Sequence, residues 1–466
     1  MNNSGEAEVN KNMLMAIIMV TMFFNAFMGA AVNIAIPDIA RDFSMTAVES
    51  SWVAMSFLLA SAIFLVPFGK IGDVYGRKRM FLIGNIVFAL STLACAFSFN
   101  SFSLIAFRFM QGIGGSMIMS TGMAIVTSVF PPQKRGKMLG LAVSAVYLGL
   151  TMAPVLGGVL TSSFGWHSIF LVAFSAGLFV IAGTISAIKT EWAEPDTNRF
   201  DVAGSLVYMS SVFLLMFGFS KLPSLLGIVM ASTGIVGFVL FVIIEQRVAS
   251  PVLNIKLFRN NRIFAFSNLA ALINYAATFA ITFILSLFLQ YAKGLSPRDA
   301  GILLITQPAI MTITAFFAGR LSDKIDSRIL SSLGMGIIVV GLVFLFFLDL
   351  QSSNTFLIAG LVIVGLGFGT FSSPNTNSVM SSVEKKYLGT ASATISTMRL
   401  MGQILSMAIT AMVMHIYLGD AKMSKATVQP FLESSKVLFL IFIVLCFIGV
   451  FASLARGKSS KKNALT

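Results

Sequence analysis

The chain of 466 residues is 57% hydrophobic and only 11% charged, holds 44 phenylalanines, and has a mean hydropathy of +0.90. That composition excludes a soluble protein built on one buried core and describes a polytopic membrane protein. The formal charge of +14 would suggest nucleic acid in a soluble chain, but here Lys and Arg occupy short loops between apolar runs, where membrane orientation accounts for them and no nucleic-acid partner is expected.

A hydrocarbon core takes roughly 20 apolar residues per helix. Runs of that kind are expected at residues 13–36, 51–68, 80–99, 102–129, 138–161, 166–188, 202–219, 225–244, 263–290, 301–318, 329–348, 355–380, 388–417 and 437–454. The seventh and eighth are divided only by Lys221 and Pro223. The N-terminus carries Glu6 and Glu8 in place of a basic region, and no cleaved signal peptide is expected. Cys95 and Cys446 both lie in apolar runs, so neither a disulfide framework nor a metal site is expected. Lys and Arg gather in alternate loops, above all at Lys70, Arg77, Lys78 and Arg79, which predicts an even number of spans with both termini cytoplasmic.

The loop at residues 69–79, G-K-I-G-D-V-Y-G-R-K-R, reads as a short basic turn whose Gly69, Gly72 and Gly76 permit sharp backbone geometry. A second copy, G-R-L-S-D-K-I-D-S-R at residues 319–328, places Asp323 where the first has Asp73. The repetition suggests two six-helix halves with the substrate site between them near the bilayer midplane. The expected division is residues 1–190 for the first half, 191–250 for an inserted helix pair, 251–456 for the second half, and 457–466 for a tail. The second half opens on an interfacial helix over residues 251–261.

Arg108 and Arg399 fall inside spans, at a cost of about 2.5 to 3.5 kcal/mol each by insertion scales, so each should face a cavity or a partner. Arg108 is either a cavity residue or a donor to carbonyls and to Gln111. Arg399 is a second cavity candidate that could instead snorkel to the cytoplasmic side. In the fifth span Gly149, Gly157 and Gly158 let helices approach closely, and Pro154 bends the helix.

In this order and spacing, these residues resemble the major facilitator superfamily, and within it the fourteen-helix drug:proton antiporters. The likeness rests on Gly69-x-x-x-Asp73-x-x-x-Arg77, on Arg108-F-M-Gln111-Gly112-I-Gly114-Gly115, and on Gly149-L-T-M-Ala153-Pro154-V-L-Gly157-Gly158, with Ala153 where glycine is usual. Pro251-V-L-N-I-K-L-Phe258 adds to it. The resemblance implies Arg108, Gln111, Arg399 and Asn33 at the transport cavity, Gly69, Asp73, Arg77 and Asp323 in a conformational switch, and Gly149, Pro154, Gly157 and Gly158 in an antiporter bend. It further implies a plasma-membrane exporter of a small lipophilic or amphipathic solute, working by alternating access. No cofactor or metal is expected, the proton gradient supplies the energy, membrane lipids are the surrounding partners, and the chain is expected to act as a monomer.

One departure qualifies the substrate. The run Val32-Asn33-Ile34-Ala35-Ile36-Pro37 matches the branch, but Met28 occupies its usual acidic position. No Asp or Glu falls in the middle third of any expected span, which points away from cationic drugs. His415, Asp38 and Asp349 are the groups left to carry a proton, while His167 reads as structural. The competing expectations are a carrier of an amphipathic anion or lipid and a membrane sensor that no longer transports. An enzyme is not expected, because no nucleophile, metal cluster or phosphate loop has recognisable spacing.

Overall fold

The computed structural model describes residues 11–193, 201–248, 255–322, 324–384, 388–419, 421–422 and 425–457. Eight spans are single helices at the start of the chain: α1 Lys11–Asp42, α2 Ala47–Tyr75, α3 Arg77–Ala96, α4 Ser101–Val129, α5 Pro132–Phe164, α6 His167–Ala187, α7 Val202–Ser220 and α8 Leu225–Glu245. A short α9, Ile255–Asn260, precedes the ninth span, which is broken into α10 Arg262–Thr278, α11 Ile281–Leu287 and a π-helical turn at Phe288–Ala292. The tenth is broken into α12 Pro297–Leu304 and α13 Thr306–Leu321, and α14 Ser327–Phe346, α15 Asn354–Ser381, α16 Leu388–Leu418 and α17 Val428–Ala455 follow. Fourteen of the described segments are long and apolar enough to cross a membrane. The side of the bundle carrying Lys70, Arg77, Lys78 and Arg79 is called the basic face below, and the other the opposite face.

The two breaks have local causes. Pro308 has no N–H and its ring crowds the carbonyl four residues back, at Leu304, where α12 ends. At the end of α10, the Ala280 N–H donates to Ser406 Oγ of α16 at 3.1 Å, so a side chain of another helix enters the backbone ladder there.

Two six-span groups use the same helix pairs. Gly84 of α3 packs on Gly114 of α4 as Gly334 of α14 packs on Gly367 of α15, and Gly149 of α5 meets the Phe23 carbonyl of α1 as Gly402 of α16 meets the Leu272 carbonyl of α10. The inserted pair α7 and α8 lies outside this scheme. Its Tyr208 hydroxyl donates to the Ala62 carbonyl of α2 at 3.1 Å.

The glycine-rich loop is shorter than its sequence suggests. Gly69 through Tyr75 are the last turns of α2, and only Gly76, at φ 118°, makes the corner. Gly72 is there for packing: a Cβ would stand 2.8 Å from Thr121 Cγ2 on α4. Likewise α13 continues through Gly319 to Leu321, while Asp323 lies outside the described residues. Of the expected interfacial helix, residues 255–260 are helical and residues 251–254 lie outside the described residues.

Candidate functional site

The halves are joined at the opposite face by a row of backbone acceptors. Pro37, inside α1, cannot donate to the Asn33 carbonyl, and that oxygen takes a hydrogen bond from Ser286 Oγ of α11 at 2.8 Å. Beside it, Gln290 Nε2 donates to the Ile34 carbonyl at 2.9 Å and the Tyr291 hydroxyl to the Pro37 carbonyl at 3.0 Å. The π-helical turn holding Gln290 and Tyr291 faces α1. The Asn33 side chain is buried, and its Oδ1 has no partner.

The fifth-span motif divides its labour. Gly149 and Gly157 admit α1, a Cβ at Gly157 lying 3.1 Å from the Ala31 carbonyl oxygen. Gly158 faces the other half, where a Cβ would stand 2.5 Å from the Pro297 carbonyl oxygen at the start of α12. Reciprocally, Gly301 of α12 abuts the Pro154 carbonyl. Deeper in the bundle, Thr151 and Thr312 hydroxyls meet at 3.1 Å and those of Tyr147 and Ser372 at 3.2 Å, again across the halves.

Arg108 is fully buried inside the first half. Its Nε donates to the Val53 carbonyl of α2 at 3.1 Å, and its Nη1 donates to Gln111 Oε1 at 2.5 Å and to the Met28 carbonyl of α1 at 3.4 Å. Gln111 Nε2 passes the chain on to Thr92 of α3 at 2.6 Å, and the Phe57 ring lies 4.5 Å from the guanidinium carbon. Here Arg108 is a donor to carbonyls and Gln111 that ties α1, α2, α3 and α4 together. Met28 is also fully buried.

Arg399 is placed differently. It is half-buried, donates from Nη2 to Thr376 Oγ1 of α15 at 2.7 Å, and stands 5.8 Å from the Tyr275 ring of α10. It also lies within electrostatic reach of Tyr147 on α5. Its Nε is buried without a partner. Sequence reading missed the tyrosines and hydroxyls of this cluster, although Tyr147 and Tyr275 are among only seven tyrosines and sit inside apolar runs.

At the basic face, Arg77 bonds Asp73 at 2.7 Å and Ser128 of α4 at 2.7 Å, so these switch candidates bind each other and α4. Gly69 lies on α4 near Ser120. Glu191, following α6, accepts from the Lys78 N–H at 2.8 Å and thereby caps α3. In the second half the corresponding corner has the reverse polarity. Arg456, after α17, is buried, with hydrogen bonds to Ser453, Ser267 and Asn375; burial pushes its guanidinium down to about 10, opposed by Asp326.

Of the titratable groups near the opposite face, the pair of Asp38 and Arg41 touches the seam, Arg41 standing 5.6 Å from the Tyr291 ring. His415 lines a cavity of about 260 Å³ with Glu49, Lys221, Thr46, Val48 and Ser220. Asp38 pairs with Arg41 at 2.8 Å, and His167 stacks on Trp166. Asp349 caps its own loop, and its hydrogen bonds from Ser352 hold its carboxyl below the usual range.

The profile of the Major Facilitator Superfamily matches residues 18–203 and 267–465. The riboflavin transporter RibZ of Clostridioides difficile is 29% identical over 453 residues, covering 97% of this chain and 99% of that protein. The multidrug resistance protein Stp of Mycobacterium tuberculosis is 30% identical over 433 residues, covering 91% and 79%. In fold, the chain is similar to a bacterial homolog of the human lysosomal transporter Spinster, with a TM-score of 0.68 at 17% identity over 96% of each chain.

Proposed function

As a chain that belongs to the Major Facilitator Superfamily, this is a multi-pass plasma-membrane transporter rather than an enzyme, and we propose that it exports an uncharged or anionic amphipathic solute by alternating access in exchange for protons. On this reading the basic face is cytoplasmic. The opposite face, where the two halves are joined, is then the closed external side.

The observation that carries the reading is the placement of charge. Among the described residues every Asp and Glu lies in a loop or near a helix end, whereas Arg399 lies well inside a span and half-buried, Arg108 being taken up within the first half. A partly desolvated site with a guanidinium and no carboxylate repels a cation and suits an anion or a neutral acceptor. Support comes also from RibZ, since riboflavin is uncharged near neutral pH, and from the multidrug relatives for the direction of transport. The proton is taken up at the opposite face, where His415 shares a cavity with Glu49.

The test is transport by proteoliposomes under an imposed pH gradient, comparing riboflavin, a lipophilic carboxylate and a permanent lipophilic cation. Riboflavin or the carboxylate should move against its gradient when the proton gradient is present, and the cation should not. Transport of the cation at an equal rate would refute the reading.

A further inference from the structure

We propose that Arg399, with Thr376, Tyr275 and Tyr147, forms the anchoring subsite for an oxyanion on the transported solute; this rests on the reading above, in which the cavity disfavours cations. Arg108 cannot serve: its Nε and Nη1 are spent on the Val53 and Met28 carbonyls and on Gln111, and although its Nη2 is likewise buried without a partner, the whole side chain is fully buried among helices of one half. Arg399 lies 11 positions into α16, about 16 Å along the helix from its start, and is half-buried at the seam between the halves. Among the described residues no ion pair involves it. Thr376 accepts from one nitrogen, and Nε is left with no acceptor at all.

A buried guanidinium nitrogen without an acceptor is costly unless something binds there. Two neighbouring N–H groups of one planar fork match the two oxygens of a carboxylate or phosphate. The Tyr275 ring, 5.8 Å from the guanidinium carbon, limits how that plane can turn, and offers a face to an aromatic solute. Tyr147 comes from the other half and shares its hydroxyl with Ser372 at 3.2 Å. An oxyanion on Arg399 can therefore draw on that hydroxyl too, and so touch both halves at once. The oxyanion is assigned to a soluble amphipathic solute, a lipid headgroup being the other source of the same chemistry.

The experiment is equilibrium binding of a naphthalene carboxylate, its carboxamide and a naphthyl trimethylammonium to the full chain in phosphatidylcholine nanodiscs. Wild type should prefer the carboxylate to the carboxamide by about tenfold or more. Arg399→Gln should abolish that preference with little change for the carboxamide, and Tyr147→Phe should reduce it. Arg399→Lys keeps the charge without the fork and serves if the Gln variant does not fold; it should cut the preference by about threefold or more. A preference that survives these changes, or none in wild type while the carboxamide still binds, overturns the subsite and leaves the transport reading standing. Tighter binding of the ammonium than of either other compound overturns the transport reading, and the subsite with it. Adding phosphatidylglycerol separates the sources: an unchanged carboxylate preference supports the soluble solute, and a preference lost in wild type supports the same subsite with a lipid headgroup as its ligand.

Discussion

Gly158→Ala should open the opposite face. The added Cβ would stand 2.5 Å from the Pro297 carbonyl oxygen, 3.1 Å from its carbonyl carbon and 3.2 Å from the Arg298 Cα, all backbone of the other half. Backbone cannot swing aside as a long side chain does, so α5 and α12 must separate by several tenths of an ångström. Gly301 already abuts the Pro154 carbonyl, which blocks a sideways slide. Overpacking of this kind costs about 1 to 3 kcal/mol. The cost falls only on the state in which the two halves touch here, so the equilibrium should move by about 5- to 150-fold toward the state open at the opposite face. Cysteine accessibility, measured from each face after replacing Cys95 and Cys446, reads this directly. Gly157→Ala is the control: its Cβ would meet Ala31 of α1 within the same half, at 3.1 Å, and should lower thermal stability without shifting accessibility. Unchanged accessibility in Gly158→Ala, or an equal shift in Gly157→Ala, would refute the assignment of this seam to the gate.

Pro37→Ala returns an N–H to the Asn33 carbonyl, so Ser286 must compete for its acceptor, and the closed opposite face should weaken by about 0.5 to 1.5 kcal/mol. The same accessibility assay should show the shift, with α1 no less stable; no shift would mean that the Ser286 bond is incidental. Arg108→Ala strands Gln111 Oε1 at about 1 to 3 kcal/mol and takes a second donor from the helical carbonyls of Val53 and Met28, so the melting temperature should fall and Arg108→Lys should not restore it. A well-folded alanine variant with normal melting would exclude this knot as a structural element. Asp73→Asn should cost less than about 1 kcal/mol of stability, because its pair with Arg77 is partly exposed, while moving accessibility toward the state open at the basic face. If accessibility does not change, the loop serves only to set topology.

Most spans were legible because charge delimits them and the bilayer sets their length, while Asn100 with Ser101 and the stretch from Ser162 to Gly165 divide two pairs without any charge. The halves were legible from one repeated loop. The breaks within the ninth and tenth spans were only half visible. Pro308 announces one, but the other depends on Ser406, a residue 126 positions from the Ala280 amide it receives. Gly69 and Gly72 misled in a definite way, because a glycine needed for helix contact looks in sequence like a glycine needed for a turn. Arg456 reads as a cytoplasmic charge at the very end of the second half and is instead buried, since nothing in a single sequence shows that Ser267 and Asn375 wait for it. Arg108 and Arg399 looked alike by the cost of insertion. What separates them is that the neighbours of Arg108 all come from its own half, while Arg399, bonded to Thr376 in its own half, also has Tyr147 of the other half nearby.

The seal at the opposite face is made of uncharged partners, a hydroxyl, an amide and a phenol donating to main-chain carbonyls of α1. None of the three donors is itself charged, and the charge beside them is the Arg41 guanidinium, 5.6 Å from the Tyr291 ring and paired with Asp38. The closure therefore answers to acidity and ionic strength only through that pair at its edge. When the halves part, water replaces each donor, an exchange worth only about 0.5 to 1.5 kcal/mol per bond. A door hung on such bonds is nearly balanced between shut and open, and small energies arriving from elsewhere in the protein suffice to move it.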